Sequence, residues 1–315
     1  MILKKVLITD KVHPYMIEAF QSCGWQVDYD TSVDNAMLER IIHQFDGIII
    51  NSKIIMDRQK MDKAIQLKFI GRLGSGMEII DIKYAKKHGI AVYNAPEGNS
   101  NAVAEHELGM ILSLLNRICV SNREIRNFDW KREQNRGREL SGKTVGIIGL
   151  GHTGAAFAEK LSSWRLRVIS YDKYRKRYPS SLRFVEKTDL QTVMTQSDII
   201  SLHLPLTEET KYLVNAQFLE QCKDGVIISN TSRGKVVETL SLIKALQNGK
   251  VSGICLDVFE NEKPETFTKT EKEMYSALYQ MKNVILTPHI AGWTHESLLR
   301  IAEVLFEKIR IGNHL

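Results

Sequence analysis

Three short polar segments, residues 230–234, 256–262 and 287–292, each follow an apolar run that is typical of a buried strand. Their residues that can hold anions or move protons are Arg233, Asp257, Glu260, Glu262 and His289. A guanidinium binds a carboxylate through two parallel hydrogen bonds. A histidine exchanges a proton near neutral pH, and a carboxylate beside it orients the ring and stabilises its protonated form. Together these groups suit proton transfer to and from a small substrate that carries a carboxylate.

A glycine turn precedes these segments in the chain. The apolar run Val145–Ile148 leads into Gly149-Leu150-Gly151-His152-Thr153-Gly154, a complete GxGxxG, and a helical pattern begins at Ala155. The first glycine permits a tight turn, the second lets the backbone approach a pyrophosphate, and the third lets helix and strand pack closely. The helix N-terminus offers free N–H groups to the phosphates. Strand, glycine turn and helix in this order predict a dinucleotide-binding site.

An acidic residue follows the glycine turn at the expected spacing. The apolar run Val168–Tyr171 ends at Asp172, about 20 residues beyond Gly149. A carboxylate here accepts a hydrogen bond from the ribose 2′-hydroxyl of NAD and repels the 2′-phosphate of NADP. The basic residues that follow and could attract that phosphate are Lys173, Arg175, Lys176 and Arg177. Because the acid contacts the ribose more directly, the sequence predicts NAD as the cofactor.

Apolar runs and helical patterns alternate along the whole chain. In the first part, the predicted strands are Val6–Thr9, Gln26–Tyr29, Gly47–Ile50, Lys68–Ile70 and Ala91–Tyr93. In the second part, they are Val145–Ile148, Val168–Tyr171, Ile199–Leu202, Val226–Ser229, Gly253–Leu256 and Val284–Leu286. Repeated β-α-β units predict parallel sheets that helices cover on both faces. The expected fold class is α/β, with two doubly wound, Rossmann-like or flavodoxin-like domains.

Two further helical patterns set the expected domain boundaries. One runs from Asn101 to Asn127 and is expected to connect the domains, and an amphipathic segment from His295 to Ile309 is expected to return to the first domain. The sequence therefore predicts a discontinuous substrate domain, residues 1–99 plus 293–315, and a cofactor domain, residues 100–292. Ligands of open α/β sheets bind at the carboxyl ends of the strands, so we expect the active site in the cleft between the domains.

The composition is that of an ordinary globular protein, with 43% hydrophobic and 25% charged residues among 315. No apolar run reaches the roughly 18 residues that a membrane helix needs, and Asp10 interrupts the apolar N-terminal run, so neither a membrane protein nor a signal peptide is expected. The cysteines, which are Cys23, Cys119, Cys222 and Cys255, form no CxxC pair. We interpret them as buried, reduced thiols of a cytoplasmic protein, and we expect no metal site. The net charge of +6 suits an anionic ligand.

Several ordered segments resemble the D-isomer-specific 2-hydroxyacid dehydrogenase family. Besides the glycine turn and the three polar segments, they include Gly71–Gly76, Asn94–Asn99, Val103–His106 and Ser141–Gly146. The resemblance covers nearly the whole chain and is closest to short D-3-phosphoglycerate dehydrogenases that lack the ACT regulatory domain. It implies NAD-dependent hydride transfer at C2 of a D-2-hydroxy acid.

The resemblance also implies roles for individual residues. Arg233 would bind the substrate carboxylate and carbonyl oxygen, and His289 would be the general acid and base with Glu262 paired to it. Glu262 is preferred over Glu260 because the family's acid stands five residues after the aspartate that corresponds to Asp257. The implied cofactor contacts are Ser75, Gly149, Gly151, His152, Thr153, Gly154, Asp172, Leu204, Pro205, Thr231, Ser232, Asp257 and Gly292. The implied substrate contacts are Lys53, Arg72, Gly74, Ser75, Gly76 and Arg233.

The choice of substrate stays open at this point. Arg72 matches a family arginine that can bind a phosphate. This match favours D-3-phosphoglycerate and 3-phosphohydroxypyruvate, which are interconverted in serine synthesis. Asn51 stands where phosphoglycerate enzymes often carry a second arginine, and Lys53 would substitute for it as a point charge. The alternatives are reduction of glyoxylate, hydroxypyruvate or another 2-keto acid.

A second class of function shares this expected fold. The C-terminal-binding-protein corepressors bind NAD, retain similar catalytic residues and act by recruiting partners. The basic segment Asn122–Leu140 has interspersed acidic residues and no DNA-binding motif, so nucleic-acid binding is not expected. In the family this region commonly forms the dimer contact, so we expect a homodimer. Glu265–Glu273 is interpreted as a solvated insertion, and His106 and His203 as structural residues.

Overall fold

The computed structural model describes residues 3–312 and 314. The chain divides into two compact units: unit 1 comprises Met1–Ser100 and Trp293–Leu315, and unit 2 comprises Asn101–Gly292. The ranges predicted from the sequence differ from these by one residue at the first boundary. Met1, Ile2, Asn313 and Leu315 belong to the predicted substrate domain and lie outside the described residues.

Unit 1 contains a five-stranded parallel sheet in the order β2-β1-β3-β4-β5. The strands are β1 Lys5–Ile8, β2 Gln26–Tyr29, β3 Gly47–Ile50, β4 Phe69–Arg72 and β5 Ala91–Asn94. The helices that belong wholly or partly to unit 1 are α1 Pro14–Ser22, α2 Asn35–Ile41, α3 Arg58–Lys63, α4 Ile82–Lys87, α5 Pro96–Leu115 and α12 His295–Ile311. The strand order is that of flavodoxin-like folds, in which ligands bind at the carboxyl ends of the strands.

The sheet of unit 1 separates two apolar cores. Alternate strand residues face opposite sides, so Leu7 and Ile48 pack with α2, α3 and α4. Ile8 and Phe69 face the other side and pack with α1 and α12. The last helix therefore completes one core of unit 1, as its amphipathic pattern predicts.

Unit 2 contains a seven-stranded parallel sheet in the order β12-β11-β10-β9-β6-β7-β8. Its strands are β6 Thr144–Ile148, β7 Arg167–Tyr171, β8 Glu186–Lys187, β9 Ile199–Leu202, β10 Val226–Asn230, β11 Val251–Leu256 and β12 Val284–Leu286. Its further helices are α6 Ile118–Arg126, α7 His152–Leu161, α8 Leu190–Gln196, α9 Ala216–Gln221, α10 Thr239–Gln247 and α11 Lys269–Tyr279. Short 3₁₀ helices occupy Ile42–Gln44, Ser180–Leu182, Gly234–Val236 and Pro264–Thr266. The strand order is that of a dinucleotide-binding fold with one added edge strand.

The sheet of unit 2 is also covered on both faces. Ile228 and Leu256 belong to a core with α8, α9, α10 and α11, whereas Val145 and Ile227 belong to a core with α5 and α7. All five residues of β10 are buried. Since the strands are parallel, the segments that follow β9, β10, β11 and β12 emerge at one edge of the sheet.

The predicted fold class is confirmed, and the differences from the predicted elements are local. β8 was not expected because its two residues are exposed and carry no apolar pattern. The predicted helix Asn101–Asn127 is broken at Arg117, whose backbone is left-handed (φ 53°). The stretch interpreted as a solvated insertion is largely exposed, but it is ordered: Thr268 and Glu271 form a capping box at the start of α11.

The cysteines were all predicted to be buried, and this is wrong for two of them. Cys222 and Cys255 are buried, whereas Cys23 and Cys119 are exposed. Burial raises the pKa of the Cys222 thiol to about 12 and that of Cys255 well above its ordinary value, so these two thiols are poor nucleophiles. Within residues 3–312 and 314, no helix has both the length and the apolar character needed to cross a bilayer. The same residues contain no group of three His, Cys, Asp or Glu side chains suited to a metal ion.

Asp198 links the amino-terminal ends of two strands in unit 2. Its carboxylate accepts hydrogen bonds from the Thr144 amide (2.8 Å) and the Lys223 ammonium (2.6 Å). Burial alone would raise its pKa, but Lys223 and the Thr144 amide outweigh burial and hold the pKa below its ordinary value. We expect Asp198→Asn to lower the free energy of unfolding by about 1 kcal/mol near pH 7, since Lys223 is half-exposed and screened.

The pH dependence follows from the depressed pKa of Asp198. A carboxylate whose pKa is lower in the folded state stabilises the fold above the unfolded pKa, and this contribution is lost as the pH falls. In urea unfolding, the difference between wild type and Asp198→Asn should therefore be constant from about pH 7 to pH 5 and shrink below about pH 4. Asp224→Asn, which breaks an exposed pair with Lys250, is the matched control and should have a smaller effect. A difference that grows in acid would contradict the assignment.

Candidate active site

The glycine turn lies between β6 and α7, and glycine is needed at each of its three positions for a different structural reason. Gly149 has a left-handed backbone (φ 89°), and a Cβ there would lie 2.3 Å from the carbonyl oxygen of His203. A Cβ on Gly154 would lie 2.1 Å from the carbonyl oxygen of Gly149. A Cβ on Gly151, by contrast, would meet no atom within 4 Å. The open space at Gly151 is where a pyrophosphate can approach the backbone.

The N-terminus of α7 faces this open space. The helix begins at His152, and its N-cap residue Gly151 supplies no side-chain hydrogen bond to the first turn. His152 is exposed and Thr153 is half-buried beside it. The first-turn amides and the helix dipole therefore remain suited to an anion, and the residues fit the pyrophosphate of a dinucleotide.

Asp172 follows β7 and is bound to the glycine turn. Its carboxylate accepts hydrogen bonds from the amides of Leu150 (2.7 Å), Tyr174 (2.9 Å) and Arg175 (2.8 Å). Burial alone would raise its pKa, but these amides and the charge of Arg175 hold the pKa below its ordinary value. Asp172 is therefore ionised at neutral pH and can accept a ribose hydroxyl.

Two of the basic residues after Asp172 are engaged by the protein itself. The Arg175 guanidinium donates to the Leu150 carbonyl oxygen (2.6 Å), and Lys173 forms an ion pair with Glu209 (2.6 Å). Neither group is therefore fully available to a 2′-phosphate. This arrangement agrees with the predicted use of NAD.

Arg233 lies in the loop that follows β10, and Asn230 holds that loop. The fully buried Asn230 side chain accepts hydrogen bonds from the Ser232 amide (3.0 Å) and hydroxyl (2.7 Å) and donates to the Arg233 carbonyl oxygen (2.9 Å). The guanidinium also donates to the Ser232 carbonyl oxygen (2.7 Å). Sequence reasoning assigned no role to Asn230, although its place at the end of a buried strand was a usable signal.

Gly234 allows the loops after β10 and β11 to approach each other. A Cβ on Gly234 would lie 1.9 Å from the carbonyl oxygen of Phe259 and 2.0 Å from its carbonyl carbon. The Phe259 amide donates to Glu262 (3.2 Å). Close approach at Gly234 therefore sets the spacing between the loop that carries Arg233 and the loop that carries Glu262.

We expect Gly234→Ala to be strongly damaging because a methyl group must push the two loops apart. Overpacking of this kind costs about 1–3 kcal/mol of folding free energy. A misplacement of about 1 Å can lower turnover by about 10²-fold. Steady-state kinetics and urea unfolding would measure both effects, with Gly109→Ala as the control because a Cβ there meets no atom within 4 Å. Equal behaviour of the two variants would refute the argument.

His289 and Glu262 form a hydrogen-bonded pair, and Glu260 does not take part in it. The Nδ1 atom of His289 lies 2.8 Å from Oε2 of Glu262. Glu260 instead accepts hydrogen bonds from the Thr239 amide (2.8 Å) and the Tyr212 hydroxyl (2.7 Å), and it raises the pKa of Tyr212 to about 12. The preference for Glu262 over Glu260 is thus consistent with the geometry of the two carboxylates.

The charge state of this pair follows from its surroundings. Burial alone would raise the pKa of Glu262, but the hydrogen bond and charge of His289, the Phe259 amide and the charge of Arg233 together lower it. An ionised carboxylate only accepts hydrogen bonds, so Nδ1 of His289 carries a proton. The His289 side chain is half-exposed, and its Nε2 atom is therefore the one that can exchange a proton with a substrate.

Asp257 shapes the backbone around His289. Its carboxylate accepts hydrogen bonds from the amides of Ile290 (2.8 Å) and Ala291 (2.8 Å) and from the Thr287 hydroxyl (2.6 Å). Its carbonyl oxygen accepts the His289 amide (2.7 Å). His289 has a left-handed backbone (φ 57°), a conformation unfavourable for a residue with a Cβ. The bonds to Asp257 hold this conformation.

The other residues predicted to bind the cofactor in unit 2 lie at the same edge of its sheet. Leu204 and Pro205 follow β9, and a Cβ on Gly149 would lie 3.1 Å from the Leu204 side chain. Thr231 is buried and Ser232 half-buried after β10, and Gly292 is half-buried at the end of unit 2. His106 bonds to the Thr287 hydroxyl (3.0 Å), which agrees with its interpretation as a structural residue.

In unit 1, the predicted substrate loop Gly74–Gly76 follows β4. Gly74 has a positive φ of 127°, and its carbonyl oxygen accepts the Ala95 amide (2.9 Å). Ser75 donates to Asn99 (3.1 Å), and its carbonyl oxygen accepts from Asn94 (2.7 Å). Within residues 3–312, the amides of this loop donate to no protein acceptor. The loop is fixed by its carbonyls and side chains while its amides can bind an anion.

The predicted phosphate contacts in unit 1, Arg72 and Lys53, each donate to a backbone carbonyl oxygen. The Arg72 guanidinium donates to the Leu73 carbonyl oxygen (2.6 Å) and lies over Gly74, where a Cβ would be 1.8 Å from Nη1. The Lys53 ammonium donates to the Thr31 carbonyl oxygen (2.6 Å). The backbone amide of Asn51 donates to the Asp10 carboxylate (3.0 Å). A phosphate role for Arg72 and Lys53 stays a prediction.

The class is that of dinucleotide-dependent oxidoreductases, because a parallel sheet carries a glycine turn, an ionised acid after its second strand, and an Arg, Glu and His set at one edge. Comparison with known proteins identifies the family. Residues 108–291 match the model of the D-isomer specific 2-hydroxyacid dehydrogenase NAD binding domain. The chain belongs to the D-isomer-specific 2-hydroxyacid dehydrogenase family, and unit 2 is its NAD-binding domain.

Individual relatives support this identification. The chain is 33% identical to a D-3-phosphoglycerate dehydrogenase of Archaeoglobus fulgidus over 97% of its own length and 56% of the relative's. It is 35% identical to a hydroxypyruvate reductase of Thermotoga maritima over 86% of each chain. The structure of a D-lactate dehydrogenase from Aquifex aeolicus with NAD and lactic acid superimposes with a TM-score of 0.84 and 30% identity, covering 99% and 96% of the two chains. The chain thus spans little more than half the length of the curated phosphoglycerate dehydrogenase it matches.

Proposed function

We propose that the protein is an NAD-dependent D-2-hydroxyacid dehydrogenase that interconverts a D-2-hydroxy acid and its 2-keto acid. The observation that carries the proposal is the His289–Glu262 pair of 2.8 Å, together with Arg233 on the neighbouring loop and the glycine turn on the same sheet edge. A positioned acid and base, an anion-binding guanidinium and a dinucleotide site are the groups that this reaction requires.

The proposed mechanism assigns the proton to His289. Arg233 binds the substrate carboxylate and the C2 oxygen. In oxidation, Nε2 of His289 takes the hydroxyl proton, and Glu262 stabilises the resulting positive charge. In reduction, the protonated ring returns that proton to the C2 oxygen. NAD, when bound, supplies the acceptor or donor of the hydride.

The proposed cofactor contacts follow from the geometry of unit 2. The open backbone at Gly151 and the first turn of α7 would hold the pyrophosphate, with His152 and Thr153 beside it. Asp172 would bind the adenosine ribose. The rest of the cofactor would contact Leu204, Pro205, Thr231, Ser232, Asp257 and Gly292. Ser75 is a further proposed cofactor contact.

The proposed substrate is D-3-phosphoglycerate or, in reduction, 3-phosphohydroxypyruvate. Two observations support it: the phosphoglycerate dehydrogenase relative, and the cationic side chains of Arg72, beside the loop Gly74–Gly76, and of Lys53, after β3. The competing candidate is hydroxypyruvate, which the hydroxypyruvate reductase relative and the neutral Asn51 favour. Lys53 is the residue that distinguishes the two, because a phosphate needs its charge and an unphosphorylated acid does not.

The test is NADH oxidation by the purified protein with 3-phosphohydroxypyruvate, hydroxypyruvate, glyoxylate and pyruvate in parallel. A kcat/KM for 3-phosphohydroxypyruvate at least about tenfold above the others is expected, and Lys53→Met should lower it selectively. Lys83→Met, an exposed lysine of unit 1, serves as the control. Preference for an unphosphorylated acid would establish the competing candidate, and no turnover of any 2-keto acid would overturn the dehydrogenase proposal.

We also propose that the protein forms a homodimer through the surface around α6 and the segment after it. Phe128 is 98% exposed and Trp130 is 78% exposed, and Ile118 and Ile125 are exposed on the helix beside them. Large aromatic side chains grouped on a surface are typical of protein interfaces. Light scattering should give twice the chain mass of 36.0 kDa, and serine at both Phe128 and Trp130 should return it to one chain mass. Tyr174→Ser, an exposed tyrosine elsewhere on unit 2, should leave the mass unchanged.

A further inference from the structure

Unit 2 contains a buried polar network that the proposed mechanism does not use. Glu107 lies on α5 and is fully buried, as are the side chains of Ser201 and His203 at the end of β9. The Ser201 hydroxyl donates to Oε1 of Glu107 (2.6 Å), and the Thr231 hydroxyl donates to Oε2 (3.1 Å). Nε2 of His203 lies 2.7 Å from the Ser201 oxygen and 3.4 Å from Oε2 of Glu107.

The hydrogen bonds define the charge of this network. Since Ser201 donates its only proton to Glu107, its oxygen accepts a proton from Nε2 of His203. Burial lowers the pKa of His203, although the Glu107 charge acts in the opposite direction, so the ring is neutral. The Glu107 carboxylate therefore accepts two hydroxyl hydrogen bonds, and the ring beside it carries no positive charge. Among the described residues, no Lys or Arg nitrogen lies within 4 Å of Glu107.

The uncompensated charge lies next to the cofactor-binding edge of the sheet. Thr231 directly follows β10 and is one of the proposed cofactor contacts. The backbone of His203 abuts the glycine turn, since a Cβ on Gly149 would lie 2.3 Å from its carbonyl oxygen. A buried carboxylate without a cationic partner destabilises a fold even when hydroxyls donate to it, so its presence beside a ligand site calls for a partner charge. Oxidised nicotinamide carries a positive charge on its ring, and reduced nicotinamide does not.

We propose that Glu107 is a specificity-determining residue that tightens binding of NAD⁺ relative to NADH through its buried negative charge. The inference rests on the proposed cofactor site in unit 2 and is independent of the choice of substrate. A buried charge acts over several ångströms because the low-dielectric interior screens it weakly. Glu107→Gln keeps the shape and one acceptor oxygen but removes the charge. It should weaken NAD⁺ binding by about three- to tenfold and change NADH binding by less than about twofold.

The experiment measures Kd for NAD⁺ and for NADH by isothermal titration calorimetry on the full chain without substrate. Wild type, Glu107→Gln and the control Glu105→Gln, an exposed carboxylate on the same helix, are compared. Ser201→Ala removes one hydroxyl donor and should shift the ratio of the two Kd values in the same direction by a smaller factor. This second variant keeps the test decisive if Glu107→Gln does not fold.

The outcomes separate this inference from the proposed function. A selective loss of NAD⁺ affinity in Glu107→Gln, absent in Glu105→Gln, supports it. Equal weakening of both forms of the cofactor would mean that the network only supports the fold around Thr231, and the inference would be wrong. If wild type binds neither NAD⁺ nor NADH, the proposed function itself fails. If it binds both and only the selective loss is missing, the proposed function stands.

Discussion

His289→Ala is expected to lower kcat by about 10²–10⁴-fold while leaving NAD binding intact, because a positioned acid and base contributes that factor to proton transfer. Nε2 of His289 is the atom available to the substrate, since Nδ1 is engaged with Glu262 at 2.8 Å. The loss should appear in kcat, because the alanine variant retains Arg233, the residue proposed to bind the substrate carboxylate. Steady-state kinetics with NADH and the preferred 2-keto acid would measure it, and calorimetry would measure NAD affinity.

A matched histidine substitution makes the His289 result interpretable. His43 is exposed in unit 1 and is not part of the proposed site, so His43→Ala should turn over at the wild-type rate. Glu262→Gln should have an intermediate effect, because the amide still bonds to the ring but no longer stabilises its positive charge. Near-normal turnover of His289→Ala would remove this residue from the mechanism.

Arg233→Gln is expected to lower kcat/KM by about 10²–10³-fold, with a marked rise in KM. Truncating one partner of a hydrogen-bonded charge pair costs about 2–5 kcal/mol, or roughly 30- to 4,000-fold, and the expected loss lies within this range. Arg233→Lys keeps the charge but loses the planar fork, so it should recover only part of the activity. Kinetics at saturating NADH with varied 2-keto acid would separate the effects on KM and kcat.

The control for Arg233 is an arginine of the same unit with no part in the site. Arg183 is exposed after a 3₁₀ helix, and Arg183→Gln should leave KM unchanged. The pKa of Glu262 gives a second check. The charge of Arg233 contributes to its lowering, so the pKa should rise in Arg233→Gln. A wild-type KM in Arg233→Gln would show that the substrate carboxylate is bound elsewhere.

The elements that carry the proposed site could be predicted because their sequence signals are local. β9 and β12 begin and end where predicted, because a short apolar run with polar residues on both sides forms a buried strand in an α/β fold. The three glycines of the turn each fulfil the steric condition expected of them. The polar segments after β10, β11 and β12 share one sheet edge because parallel strands impose it.

Other features depend on contacts between distant residues, and the sequence alone could not reveal them. Glu107 and Ser201 are 94 residues apart, and nothing near either residue indicates that they meet. The exposure of Cys23 and Cys119 depends on which helix faces point outward. The break at Arg117 interrupts an apolar pattern without glycine or proline, so no local signal marks it. Asn230 is conspicuous only when its bonds to Ser232 and Arg233 are known.

The discontinuous composition of unit 1 has a consequence for the order in which the chain folds. Helix α12 fills one face of the unit 1 sheet with Ile301, Leu305 and Phe306, and it approaches Gly98 so closely that a Cβ there would lie 2.6 Å from the Ile301 backbone. During synthesis, the first hundred residues emerge long before this helix, so Phe20 has its contacts with Trp25 and Phe69 but still lacks the one with Phe306. Unit 2 is contiguous and can complete its cores first. Unit 1 can therefore complete this core only after α12 has emerged, and until then the apolar face of its nascent sheet is open to wrong contacts.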